Sequence, residues 1–219
     1  MRDSMLKKLT DEKMIEILET GIEEFAAKGL NRANINVIAK KAGISVGVLY
    51  KYYEDKDAFF LACLRRSLDV LEGVLHDVVE GDDKILIRAE KLIRAVIYYS
   101  CEHSNYINMY YEITSGSSKK FASFLAKEIE GISARTYVGF IEKAVKSGDL
   151  RSDMDPRLFA FFFDNLLMML QFSYCCDYHK ERLKVYCGED IFDNNEKMVT
   201  QLLKFVESAF TFSKTEDSH

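Results

Sequence analysis

In the stretch NINVIAKKAGISVGVLYKYYEDKDAFF, residues 34–60, amide, hydroxyl and ammonium groups recur in a pattern suited to contacting a polyanion. Asn36 carries the donor and acceptor pair that can read an adenine edge, and Lys51 and Lys56 offer charge-assisted contacts to phosphate. Tyr52 can give its hydroxyl to phosphate or its ring to a thymine methyl. Asn34 and Ser45 are suited to cap helix starts, and Asn34 can touch phosphate as well. Gly47 removes a side chain where a helix and a duplex would crowd. Tyr50, Lys51, Tyr52 and Tyr53 follow one another, and four consecutive residues cover every side of a helix, so they cannot all face one core.

The elements that must hold these groups are short. Asn34 as N-cap starts a helix running through Ala42, Gly43 breaks it, and Ser45 caps a third helix from Val46 to about Tyr52. So short a helix is marginal alone, so Leu49 and Tyr53 must anchor it against Ile38, Ala42 and the first helix. That first helix starts at Thr10 as N-cap, has Asp11 and Glu12 at its positive end, and carries a stripe of Met14, Ile17, Leu18, Ile22 and Phe25 up to Gly29. Asp55 caps a long fourth helix with Phe59, Cys63, Leu64, Leu68, Leu71 and Leu75 on one side. A helix, a glycine-containing turn and a second short helix form a helix-turn-helix, whose second member lies in the DNA major groove.

Composition agrees with an all-α chain. One proline and eleven glycines in 219 residues leave long stretches without breakers. Further helices are expected over about 84–102, 105–114, 119–147, 156–187 and 191–213, with junctions at Gly81-Asp82-Asp83, Ser115-Gly116-Ser117-Ser118, Ser147-Gly148-Asp149 and Gly188. The polar end KTEDSH is expected to fray. The chain carries a net charge of −5, yet from Lys28 to Lys56 six basic residues stand against two acidic ones. A basic patch on an acidic body is compatible with local nucleic-acid binding, because counter-ion release depends on charges at the contact. The first residues hold scattered charges and no apolar block, so no secretory signal is expected. The run from Leu158 to Tyr174 contains Asp164, Asn165 and Gln171 and reads as a buried helix rather than a membrane span. Five cysteines without a ladder of spacings fit reduced thiols in a cytoplasm.

GLNRANINVIAKKAGISVGVLYKYYEDKDAFF resembles the DNA-binding domain of the TetR family of bacterial transcriptional repressors. The resemblance covers about residues 10–60. It rests on Phe25 and Gly29, Ile38-Ala39, Ala42-Gly43-Ile44-Ser45, Gly47, Leu49-Tyr50, Tyr53 and Lys56, all in register. The chain departs from the family where Asn34 stands for the usual Thr, Asn36 often for Arg, Val46 often for Lys and Val48 usually for Thr. Val48 donates no hydrogen bond and Val46 adds no charge, which removes one or two backbone contacts. The resemblance implies a DNA-binding domain over residues 1–55 and a helical ligand-binding and dimerisation domain over 56–219. It implies a homodimer on a palindromic double-stranded operator, with Asn34, Asn36, Ser45, Val46, Gly47, Tyr50, Lys51, Tyr52 and Lys56 at the DNA. A small-molecule inducer is expected to release it. No cofactor, metal, catalytic residue or membrane partner is expected.

The aromatic and methionine content of YINMYYEI and LFAFFFDNLLMML is first of all core and subunit interface. With Asn108, Tyr111, Asp164, Asn165, Met168 and Gln171 it can also line an apolar cavity with a few polar groups; Asp164 would favour a cationic ligand there, or serve equally as a capped, paired or subunit-interface carboxylate. The dimer interface is expected on the last two helices, through Leu202, Phe205, Val206, Ala209 and Phe210. Cys175, Cys176 and His179 share a helix face at metal-ligand spacing, but nothing supplies further ligands, so a helical core is the expected role. A helical small-molecule carrier or enzyme is the competing class, and it lacks a phosphate loop, a metal pair or a nucleophile elbow in its favour.

Overall fold

The structure, a computed structural model, describes residues 9–79, 84–114 and 122–211, apart from the side chains of 77, 79, 122, 124 and 125. Among these residues it is all-α: α1 (Asp11–Arg32), α2 (Ile35–Lys41), α3 (Val46–Tyr52), α4 (Lys56–Val79), α5 (Ile85–Glu102), α6 (Ser104–Glu112), α7 (Ala122–Ser147), α8 (Pro156–Cys175), α9 (Asp177–Cys187) and α10 (Asn195–Phe210), with a short 3-10 turn at Glu189–Asp193. The junctions expected at Gly81-Asp82-Asp83 and Ser115-Gly116-Ser117-Ser118, and the tail KTEDSH, lie outside the described residues.

Side-chain caps set the starts of the first four helices. Thr10 Oγ1 accepts from the Lys13 amide, Asn34 Oδ1 from Asn36, Ser45 Oγ from Val48 and Asp55 Oδ1 from Ala58, at 3.2, 2.9, 3.2 and 2.7 Å. Each satisfies an amide that has no partner inside its helix, worth about 1 kcal/mol. Gly29, expected to end α1, instead kinks it: φ is +70° there and one more turn follows to Arg32. A Cβ at Gly29 would also stand 2.6 Å from Glu112 Oε2, so the end of α6 presses on this point.

One core joins α1, α2 and α3 to the start of α4 and the inner face of α6. Phe25 is fully buried, with its ring centroid 5.8 Å from that of Phe59 and 5.1 Å from that of Phe60. Leu49 of α3 is buried in the same cluster with Ile38 and Ala42, while Tyr106 and Met109 enter from α6. Burying each large apolar side chain contributes roughly 1.5–3 kcal/mol, which holds a helix as short as α3 in place. A second core gathers α5, α7, α8 and α10 around Leu92, Ile93, Phe163 and Phe210. By length and composition α8 could cross a membrane, yet half of its most apolar stretch is buried inside this structure, including Phe159, Phe163 and Leu167.

Two expectations are corrected. The single helix over 156–187 is broken at Cys176, whose backbone is extended (φ −98°, ψ 125°). No glycine or proline marks the break; Cys175 and Cys176 are both buried there, with Sγ atoms 3.8 Å apart. Val206 and Phe210, assigned to a subunit interface, are each only 2% exposed in the second core, and Leu202 and Ala209 pack against it. The apolar stripe of α10 is satisfied within the chain, by Phe159 and Phe163 at ring distances of 4.1 and 5.8 Å from Phe210. Phe205 alone of the five faces outward, at 60% exposure.

Candidate nucleic-acid interface and ligand cavity

On α3 the inward side holds Leu49, and the spacing of 3.6 residues per turn places Gly47, Tyr50 and Lys51 together on the outer face. Tyr50 is 41% exposed and Lys51 is exposed, so neither ends in the core. Val46 and Val48 are half-buried at the edges of this face. Nothing inside the chain requires glycine at 47: a Cβ there would meet nothing closer than Ser45 Oγ at 3.9 Å.

The neighbouring polar groups are partly engaged. The Tyr52 hydroxyl accepts from the Leu9 amide at 2.9 Å, which leaves its proton available to an outside acceptor. Asn36 Nδ2 donates to Asn34 Oδ1 at 3.2 Å, tying together the exposed amides at the start of α2. Lys56 Nζ donates to the Asn31 carbonyl at 3.2 Å, clamping the end of α1 onto the start of α4 with two ammonium protons to spare. Lys41 stands 3.9 Å from Glu23 with both side chains more than half exposed, an ion pair too solvated to bind up its charge.

The cavity lies in the second half of the chain. A space of about 110 Å³ opens between α4, α5, α6, α7 and α8, with walls that include Leu68, Leu75, Val96 and Leu167. A neighbouring lobe of about 280 Å³ lies between α7 and α8. Both are lined by Glu130, Ser133, Tyr137, Asp164 and Met168. Of the residues expected to line a cavity, Asp164, Met168 and Gln171 reach the first space and Asn165 the second. Asn108 and Tyr111 lie elsewhere: Asn108 Oδ1 accepts from the Cys176 thiol at 3.4 Å, and the Tyr111 ring packs on Phe172 at 5.1 Å.

Glu130, Ser133 and Tyr137 were not anticipated. Their signal is a polar residue at positions i and i+3 of a face that continues into buried Tyr137 at i+7, on a helix long enough to pass as a solvated rod. The Tyr110 hydroxyl donates to Glu130 Oε1 at 2.8 Å and contacts Met168 Sδ at 3.2 Å. Burial, then the charge of Glu130, push Asp164 up to about 6, against a hydrogen bond from Ser133 that lowers it. Burial, followed by Glu130, raises Tyr110, and burial, followed by Asp164, raises Tyr137, so both phenols stay protonated.

A path of packed groups joins this cavity to the first core. Tyr99, on the cavity wall, stacks on His103 at 5.4 Å, and His103 stacks on Tyr106 at 5.2 Å. The Tyr106 hydroxyl, pushed up to about 12 first by burial and then by its bond to Glu19, reaches both Glu19 oxygens on α1, at 2.7 and 2.8 Å. Arg66 Nε of α4 donates to the same carboxylate at 3.1 Å.

A capped helix-turn-helix with an exposed outer face thus packs on a helical domain that holds a cavity. The profile of the family described as bacterial regulatory proteins, tetR family, matches residues 17–63, from α1 into α4. Over residues 17–63 the chain is similar to the DNA-binding region of the TetR family of transcriptional regulators. It is 28% identical over 148 residues to the transcriptional repressor KstR2 of Rhodococcus jostii (strain RHA1), covering 65% of this chain and 70% of that one. It is 33% identical over 110 residues to the uncharacterized HTH-type regulator YvdT of Bacillus subtilis (strain 168), covering 48% of this chain; the match spans about half, 55%, of YvdT. Among solved structures, the ketosteroid regulator KstR2 of Mycobacterium tuberculosis matches over 94% of this chain and 98% of its own, with a TM-score of 0.65 and 22% identity. FadR of Bacillus subtilis in complex with stearoyl-CoA matches over 89% and 98%, with a TM-score of 0.70 and 14% identity. These two likenesses concern the fold.

Proposed function

We propose that this chain is a cytoplasmic transcriptional repressor, not an enzyme, that binds a near-palindromic operator as a homodimer and is released by a small molecule. The observation that carries the reading is the outer face of α3, where Gly47, Tyr50 and Lys51 lie exposed and, among the described residues, a Cβ at Gly47 would meet only Ser45 Oγ. We place DNA binding in residues 1–55, and ligand binding and dimerisation in 56–219. One short recognition helix reads too few base pairs for useful affinity; two, on half-sites about 34–36 Å apart, supply the rest. The second copy is assigned to the stripe Leu158, Phe161 and Phe162 of α8 with Phe205 of α10, which are 54%, 60%, 54% and 60% exposed. Leu158, Phe161 and Phe162 fall at i, i+3 and i+4, a single helix face. Apolar rings exposed in such a row mark an interface more often than a bare surface.

Selection of bound sequences from a random duplex pool, at about physiological salt, tests this reading. An inverted repeat should be enriched; a pool that stays random, with retention vanishing as salt rises, would return the chain to the carrier or enzyme class. On the enriched duplex, Lys56→Ala should weaken specific and random binding alike and lower the slope of log affinity against log salt by about 1. Because Lys56 also clamps the end of α1, its melting curve must accompany the titration. Asn36→Ala should change base preference instead, and sequence-blind losses from both would remove Asn36 as a base reader.

A further inference from the structure

The two lobes beside α7 and α8 are apolar in their walls and acidic in their polar groups. Among the described residues, the first is lined by Glu72, Glu130 and Asp164 and by no lysine, arginine or histidine; the second adds one base, Arg157. Glu130 accepts a phenol from Tyr110, and the polar group set beside Asp164 is the Ser133 hydroxyl, both neutral. A half-buried carboxylate without a cationic partner is costly, and two that repel each other more so. The rings of Tyr99, Tyr110 and Tyr137 stand around the same space, and aromatic faces attract cations.

We propose that this cavity takes an organic cation with an apolar body, a lipophilic ammonium whose charge lies between Glu130 and Asp164 and whose chain fills the apolar walls. The proposal rests on the cavity being the effector site and names the class of effector. A fatty acid or acyl thioester could use the same walls, but its anionic end would bring a further negative charge toward a pair already in repulsion. The groups facing Asp164 are Glu130, Ser133 and Tyr137 of α7 and Tyr110 of α6, with Arg157 on its own helix lining the second lobe. A permanent cation therefore binds more weakly as pH falls through about 6, where Asp164 takes up a proton.

The test is calorimetric titration of the full chain at pH 7.5 with decyltrimethylammonium, decanoate, decanoyl-CoA and decanol, followed by operator release. The cation should bind at least about tenfold more tightly than the other three, and Asp164→Asn or Glu130→Gln should each weaken it about tenfold. Asp164 has a raised value in the folded chain, so ionising it opposes folding; Asp164→Asn should therefore melt no lower than the parent at pH 7.5, which separates lost binding from lost fold. Tighter binding of decanoyl-CoA or decanoate, binding of none of the four, or a cation indifferent to both substitutions would overturn the assignment. If decanoyl-CoA binds and releases the operator, the assignment falls while the ligand-regulated repressor stands. If the cation binds as described and leaves the operator complex intact, the ligand class stands and the effector reading falls.

Discussion

Gly47→Ala should yield a protein at least as stable as the parent that has lost most of its operator affinity. Alanine in place of glycine within a helix stabilises by up to about 0.5–1 kcal/mol, less near the first turn, and the added methyl would meet only Ser45 Oγ at 3.9 Å. On a helix seated in the major groove the same methyl collides with the duplex, and a shift of about 1 Å across the face that also carries Tyr50 and Lys51 disrupts several contacts together. We expect at least a tenfold loss, about 1.4 kcal/mol, in titration against the selected operator. Unchanged affinity in a folded protein would mean that the outer face of α3 stands off from the duplex.

The second large effect separates two phenylalanines on one helix. Phe205→Asp should give a folded monomer by sedimentation and, with only one half-site engaged, at least about a hundredfold weaker operator binding. Phe210→Asp should instead lower the melting temperature by roughly 10 °C, because it replaces a side chain 2% exposed, packed on Phe159 and Phe163, with a buried charge costing about 4 kcal/mol. Phe161→Asp should behave like Phe205→Asp. A Phe205→Asp protein that dimerises as strongly as the parent would move the interface off this face.

What could be read in the sequence was what is decided locally. Thr10, Asn34, Ser45 and Asp55 cap helices because a side chain and an amide two or three residues on settle the matter between them. The packing of Leu49 was legible for a related reason, since a two-turn helix has only one side that can hold it. Val206 and Phe210 were misread because an amphipathic stripe says that a face is covered without saying by what. The outward row of Leu158, Phe161 and Phe162 was hidden by the opposite difficulty, as α8 is apolar on nearly every side and has no periodicity to follow. Glu130 escaped notice because its place on the cavity wall is set by Tyr110 and Asp164, which arrive from two other helices. The break at Cys176 carries no local marker, neither glycine nor proline.

The two tyrosines of α6 sit one turn apart, and each holds a carboxylate: Tyr106 holds Glu19 of α1, beside the helix-turn-helix, and Tyr110 holds Glu130 of the cavity. Four residues of helix separate them by about 6 Å along an axis that does not stretch. The linkage therefore has no backlash: a displacement of Tyr110 is answered at Glu19 by a comparable displacement, or one of the two phenol–carboxylate bonds breaks. On the proposed function, an occupant of the cavity that weakens the grip on a duplex is itself held more weakly once the duplex is bound, by the same free energy.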